Sequence, residues 1–323
     1  MIGRRSLALA VLLAAFALTP SGAHADEVLR LATSQAGWDN SVVPLGKRAG
    51  FFREKGIDAE VSFTDGSSAA LQALIAGGVD VAVVSVPLFL GAVAKGAPLK
   101  MISANFTGGS DLLWYVRADS RIKKLKDVTK GTKLGYATPG SSNYILLSAL
   151  LDQYGVAGDM VATGSPPATM LQVMAGQVDV GYDGNGGLGV PEFERGAVRV
   201  VALGSELASM QNVTTRGLVV TAETLAKRRD ALIRYVQAYQ KTVDWMYRDP
   251  AALQQYAEMS QAKLADAKRV VEWMYPERSM RVGDVGGIEY SIVQGLQFKR
   301  IAQRPTPEQL AGSLDIVWKP SRP

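Results

Sequence analysis

Along its first half the chain alternates short apolar blocks with helix-period segments, and turn residues punctuate the change. VLRLATSQAGWDN, residues 28–40, reads as a strand running into a glycine-containing loop. Residues 42–54, VVPLGKRAGFFRE, have the spacing of a helix that Lys55-Gly56 closes. A second strand follows at 58–63, then the loop 64–68, Thr-Asp-Gly-Ser-Ser, which caps a helix over 69–76. Gly77-Gly78 stops that helix, and 79–86, VDVAVVSV, is apolar enough for a strand buried on both faces. A helix at 88–95 and a strand at 99–104 complete the series. Strands and helices alternating at this spacing predict a parallel, doubly wound sheet.

The same grammar restarts near residue 112, with a strand over 112–117 and a short helical element over 125–129. KLGYATPGSSNYILLSALL, residues 133–151, reads as a strand, a Thr138-Pro139-Gly140-Ser141-Ser142 turn and an apolar helix from Asn143. Such a turn aims unpaired backbone N–H groups and two hydroxyls at one point. The helix dipole adds partial positive charge there, which suits a carboxylate, sulfonate or phosphate. A helix over 168–175 then leads to a strand over 178–182. This last unit echoes the earlier one: AGGVDVA at 76–82 matches AGQVDVG at 175–181. A repeat offset of about one hundred residues is domain-sized and predicts two similar α/β lobes rather than a solenoid. After a last strand at 218–221 the chain turns helical, with Leu225, Leu232, Tyr235, Val236, Tyr239, Val243 and Met246 on one helical face. Asp249-Pro250 breaks that helix, and further helices are expected at 264–274 and 286–302.

Composition narrows the chemistry. Arg4-Arg5, the apolar run 7–18 and Ala23-His24-Ala25 have the form of an export signal cleaved after Ala25, which predicts a periplasmic protein. Cleavage removes two arginines and the single histidine, so the net charge falls from +5 to +3. Neither His nor Cys remains, which excludes Ser-His-Asp and Cys-His catalysis, His/Cys zinc sites, disulfides and a lipidated cysteine at the cleavage site. No cofactor or metal site is expected, and the sequence lacks GxSxG, HExxH and P-loop motifs. Lys and Arg are scattered, so nucleic acid is not an expected partner, and no later stretch is long enough to insert in a membrane. GNGGLG at 184–189 spells GxGxxG after a strand, but Val190-Pro191 allows only a short helix next, so it reads as a cleft loop. Asn212-Val213-Thr214 is a sequon that has no meaning if the source is bacterial, as the expected export signal suggests.

Taken in order, AGGVDVAVVS at 76–85, RADSRIKKLKDV at 117–128, PGSSNYILLSALL at 139–151, AGQVDVGYD at 175–183 and the Asp-Pro at 249–250 carry a resemblance over the whole mature chain. The sequence resembles the periplasmic substrate-binding proteins of ABC importers, within the nitrate/sulfonate/taurine and thiamine-pyrimidine-precursor group. The resemblance implies an α/β, type II two-lobe clamshell. Each lobe would be a doubly wound sheet flanked by helices, with two crossover strands and a helical C-terminal region. The crossovers are expected near 115–117 and 215–218, giving lobe one residues 26–115 and 218–323 and lobe two residues 116–217. It also implies a monomer that closes on one small molecule and delivers it to the transmembrane subunits of an ABC permease, and not an enzyme. One branch of the fold does make thiamine pyrimidine with a histidine of its own chain, which this mature chain lacks. In sulfonate binders the corresponding strand end commonly carries Trp-Asp-Pro, where this chain has Tyr182-Asp183-Gly184.

Ligands of open α/β sheets sit beyond the carboxyl ends of the strands. That rule nominates Trp38, Ser67, Ser68, Ser85, Asn105, Gly140, Ser141, Ser142, Asn143, Tyr144, Asp183 and Arg216. Each has a plainer reading as well: an aromatic core residue, a helix cap, or a surface charge. The Gly140 turn and Arg216 favour a small organic anion, sulfonate or carboxylate, aromatic or zwitterionic given Trp38, Tyr144 and Tyr182. Asp39, Asp65 and Asp183 favour instead an amine or a pyrimidine-type thiamine precursor. The same clamshell could also serve as a ligand sensor.

Overall fold

The computed structural model describes residues 26–34, 37–184, 187–188, 190–280 and 282–320. The expected export signal, Gln35, and Asn185, Gly186 and Gly189 of the GxGxxG stretch lie outside the described residues.

The first half folds as β1 (Glu27–Ser34), α1 (Val42–Arg48), β2 (Ile57–Thr64), α2 (Ser67–Ile75), β3 (Val81–Ser85), α3 (Val86–Ala94) and β4 (Leu99–Thr107). The chain then crosses to a second body and forms β5 (Leu113–Arg117), β6 (Lys133–Tyr136), α4 (Ser142–Tyr154), β7 (Asp159–Ala162), α5 (Pro166–Met174), β8 (Val180–Asp183), α6 (Pro191–Glu194) and β9 (Val198–Leu203). It returns as β10 (Thr214–Thr221), followed by α7 (Ala222–Arg248), α8 (Pro250–Met259), α9 (Leu264–Met274), α10 (Ile288–Gln297) and α11 (Pro307–Ser313).

Two five-stranded sheets result, in the orders β2-β1-β3-β10-β4 and β7-β6-β8-β5-β9. They have one topology. Four strands of each run parallel, and the fourth position in the order is taken by a single antiparallel strand, β10 in one sheet and β5 in the other. The sheets are therefore mixed rather than purely parallel. The inserted strand is in each case the first one formed after the chain arrives from the other lobe. Both crossovers consequently differ from the sequence expectation. Leu113–Arg117 lies wholly inside the second sheet and Thr214–Thr221 wholly inside the first, so the chain changes lobes at 108–112 and 204–213.

The Val-Asp-Val echo has a local cause. Asp80 takes the Arg30 N–H on its carboxylate at 2.9 Å while its own N–H donates to the Arg30 carbonyl. Asp179 does the same with Lys133, at 2.8 Å. In both lobes the aspartate pins the central strand, which follows a helix, to the strand beside it. The next repeat position differs, Ala82 against Gly181, because the Tyr115 ring of β5 lies over Gly181, where an added Cβ would meet its ring carbon at 2.5 Å.

α7 buries the seven apolar residues that the helical period marks, and its aromatics form the floor of lobe one with Trp38, Tyr256 and Tyr275. Asp249 ends it and caps α8, accepting from the Ala251 N–H at 2.9 Å. Among the described residues no helix is long and apolar enough to cross a membrane.

Candidate functional site

The register pairs Ser34 with Thr64, so β1 and β2 end side by side, and β6 and β8 end on the facing edge of the other lobe. Between these strand ends lies a cavity of about 740 Å³, lined by Ser34, Thr64, Asp65 and Ser67 on one side and Ser141, Asn143, Ser165, Tyr182 and Asp183 on the other. That size suits a small molecule. Leu112, Met170, Leu188 and Val190 give the wall an apolar part.

Three helices begin at the cavity, and local sequence sets what each offers. α2 follows Gly66 and α4 follows Ser141, and neither has a side-chain cap, so their first-turn N–H groups keep their hydrogen-bonding capacity. α5 opens with Pro166-Pro167, which removes two donors and leaves an apolar face. The Gly140 turn is internally braced. Asn143 Oδ1 accepts from the Ser141 hydroxyl at 2.6 Å and the Ala137 N–H at 3.1 Å, and Gly140 takes a φ of +84° that favours glycine. Lobe one clasps the same turn. The Ser85 hydroxyl donates to the Gly140 carbonyl at 2.8 Å, and the Ser68 hydroxyl donates to the Pro139 carbonyl at 3.3 Å. Tyr275 of lobe one also reaches over, donating to the Gly184 carbonyl at 2.5 Å.

At the base of the cavity sits a buried charge cluster. Arg216 Nη2 donates to Asp39 Oδ2 at 2.9 Å and to Asp111 Oδ2 at 2.6 Å, and its guanidinium lies 4.7 Å from the centre of the Phe106 ring. Burial pushes the Asp111 carboxyl up to about 6; the Arg216 charge opposes this and the neighbouring Asp39 charge adds to it. Burial alone would lower the Arg216 guanidinium, but Asp111 and Asp39 outweigh it and hold the cation firmly. Burial, then Asp183, raise the Tyr115 hydroxyl, so it stays protonated. The other cation lining the cavity, Arg195, is paired with Glu192 at 3.2 Å.

Of the residues nominated from sequence, Ser67, Ser141, Ser142, Asn143, Asp183 and Arg216 line the cavity. Trp38 does not: it is fully buried, edge-on to Tyr247 and Tyr256 at 6.1 and 5.0 Å, as a core aromatic under the loop. Ser68, Ser85 and Gly140 form the clasp between lobes rather than the wall. Asn105 is buried with Tyr239, its amide donating to that hydroxyl at 2.7 Å. Tyr144 packs on Tyr136 and beneath Arg300, outside the cavity. Arg216, expected as an anion's partner, is instead engaged by two carboxylates. Sequence reasoning passed over Asp111 and Tyr115. Asp111 lies in no element that the sequence predicts, and Tyr115 falls in the strand 112–117 at the expected crossover.

Two lobes of one topology, joined by two crossovers around a solute-sized cavity, define a two-lobe binding-protein architecture. The sequence matches the NMT1/THI5 like family over residues 42–253, and the chain belongs to that family. No curated protein sequence matches it. Among solved structures the fold is similar to the alkanesulfonate-binding protein SsuA from Xanthomonas axonopodis pv. citri bound to MOPS. That match has a TM-score of 0.73 and 18% identity, and covers 92% of this chain and 100% of that one. The periplasmic aliphatic sulphonate binding protein SsuA from Escherichia coli matches at TM-score 0.68 and 18% identity, over 92% and 93% of the two chains. The periplasmic nitrate-binding protein NrtA from Synechocystis PCC 6803 matches at 0.67 and 12%, over 88% and 84%. All three of these neighbours are binding proteins, the class that the resemblance implied.

Proposed function

We propose that the protein is the periplasmic solute-binding component of an ABC importer, holding one small molecule between its lobes and handing it to a permease. The observation that carries this is the cavity of about 740 Å³ whose walls come from both lobes. A solute there touches both lobes only when they are closed, so binding shifts a hinge equilibrium toward closure. The export signal and the binding-protein neighbours support the compartment and the partner.

An organic anion, as the Gly140 turn suggests, would find the uncapped first turns of α2 and α4. Among the described residues it would not find a free guanidinium, since Arg195 and Arg216 are both ion-paired. Small-angle scattering of the protein alone and with a solute identified by thermal shift tests the reading. The expected result is a smaller radius of gyration for a 1:1 monomeric complex. An unchanged profile with bound solute would refute closure.

A further inference from the structure

The charge cluster at the base of the cavity carries more structure than an ion pair needs. Two buried carboxylates, Asp39 and Asp111, converge on one guanidinium nitrogen of Arg216, so the ionised cluster keeps one negative charge. Asp111 is 4% exposed and lines the cavity, and its second oxygen, Oδ1, is buried with no hydrogen-bond partner. The Tyr115 hydroxyl, on the same cavity, is likewise buried and without a partner. Buried polar atoms are nearly always satisfied, so two orphans on side chains that line one cavity point to partners supplied when side chains adjust around an occupant. A carboxylate oxygen can take only a donor. Asp65 and Asp183 add negative charge to the same walls, while Glu192 and Arg195 offset each other. An anion at this depth would meet repulsion, and a cation would complete the cluster.

We propose that the recognised solute carries a protonated nitrogen that binds Asp111 Oδ1, with an apolar body against Met170, Leu188 and Val190. Asp111 is then the residue that selects solute charge, and the Tyr115 hydroxyl the second polar contact. The inference rests on the solute-binding reading above and deepens it from a small molecule to an amine, amidine or protonated heterocycle. It assigns the helix starts of α2 and α4 a secondary part, as donors to an acceptor elsewhere on the same solute.

The test is a thermal-shift screen of the wild-type protein at pH 8. Aryl and alkyl amines, benzamidine and aminomethylpyrimidines are compared with alcohols, amides, carboxylates and sulfonates of the same carbon frames. The expected result is stabilisation confined to compounds with a protonated nitrogen. The tightest of them should bind at least tenfold more weakly to Asp111→Asn by calorimetry, because the isosteric amide keeps an acceptor and loses the charge. Stabilisation by carboxylates or sulfonates alone would overturn the inference while leaving the solute-binding reading intact. So would an amine whose affinity is the same in wild type and Asp111→Asn. No stabilisation by any compound would count against the solute-binding reading itself, and the inference would fall with it. The screen is read on wild type, so it decides the matter even if the variant does not fold.

Discussion

Replacing Arg216 with Met should be among the most damaging single changes to this fold, and its cost should depend on pH. The side chain is buried, and one nitrogen serves Asp39 at 2.9 Å and Asp111 at 2.6 Å. At an effective dielectric near 20, each contact under 3 Å is worth about 6 kcal/mol before desolvation is counted. Most of that is offset by taking the charges out of water. What the substitution changes is the residue left behind: methionine fills the space over Phe106 but leaves two buried carboxylates with no counter-charge. Removing one partner of a buried pair costs about 3–5 kcal/mol. The carboxylates can escape by taking up protons. With the cation gone, the Asp111 carboxyl, already raised to about 6 by burial, loses the charge that opposed the shift and rises further. A carboxyl raised on folding contributes stability that is complete below its unfolded value and is lost as pH rises through the folded one. The deficit of Arg216→Met should therefore be largest at pH 8 and shrink by pH 5. Urea unfolding at both pH values measures it, and Arg216→Met with Asp111→Asn should recover more than 1 kcal/mol of the loss at pH 8. A deficit under about 1 kcal/mol, or one equal at the two pH values, would refute the reasoning.

Two further substitutions probe the hinge and the turn. An added Cβ on Gly204 would stand 1.9 Å from the Gly109 carbonyl oxygen, so the two crossovers lie side by side only because position 204 is glycine. Gly204→Ala should destabilise by more than about 1 kcal/mol and open the lobes, visible as a larger radius of gyration without ligand; unchanged scattering and melting would contradict this. Asn143→Ala strips the acceptor from the Ser141 hydroxyl and the Ala137 N–H. It should cost about 1–3 kcal/mol by thermal unfolding, and a loss near zero would mean that the brace is not needed. The wild type and Asp111→Asn should diverge as pH rises from 4 to above 6, the variant becoming relatively more stable, because it avoids ionising a buried carboxyl; parallel pH profiles would argue against that.

Much of the fold was legible because period and punctuation agree in this chain. The Gly stops at Gly77 and Gly176, the Val-Asp-Val starts and the apolar face of α7 are local signals, and the structure uses each locally. The crossovers were misplaced because a strand that joins the other lobe's sheet has the same apolar composition as one that does not. Only pairing distinguishes β5 and β10 from their neighbours. At the site, the turn residues Ser141, Ser142 and Asn143 were visible as helix-start chemistry. Trp38 was not legible as core, because an aromatic in a loop reads alike whether it covers a solute or fills the lobe beneath. The pairing of Arg216 with Asp39 and Asp111 joins residues 177 and 105 positions apart, a separation to which no pattern in a single sequence speaks.

Hydrogen–deuterium exchange with and without a solute that raises the melting temperature tests the central claim most directly, because it reports both lobes at once. A solute held between the lobes should protect the segment at 64–67 in lobe one and those at 141–145 and 164–169 in lobe two together. Protection confined to one lobe, or appearing away from these strand ends, would contradict the account.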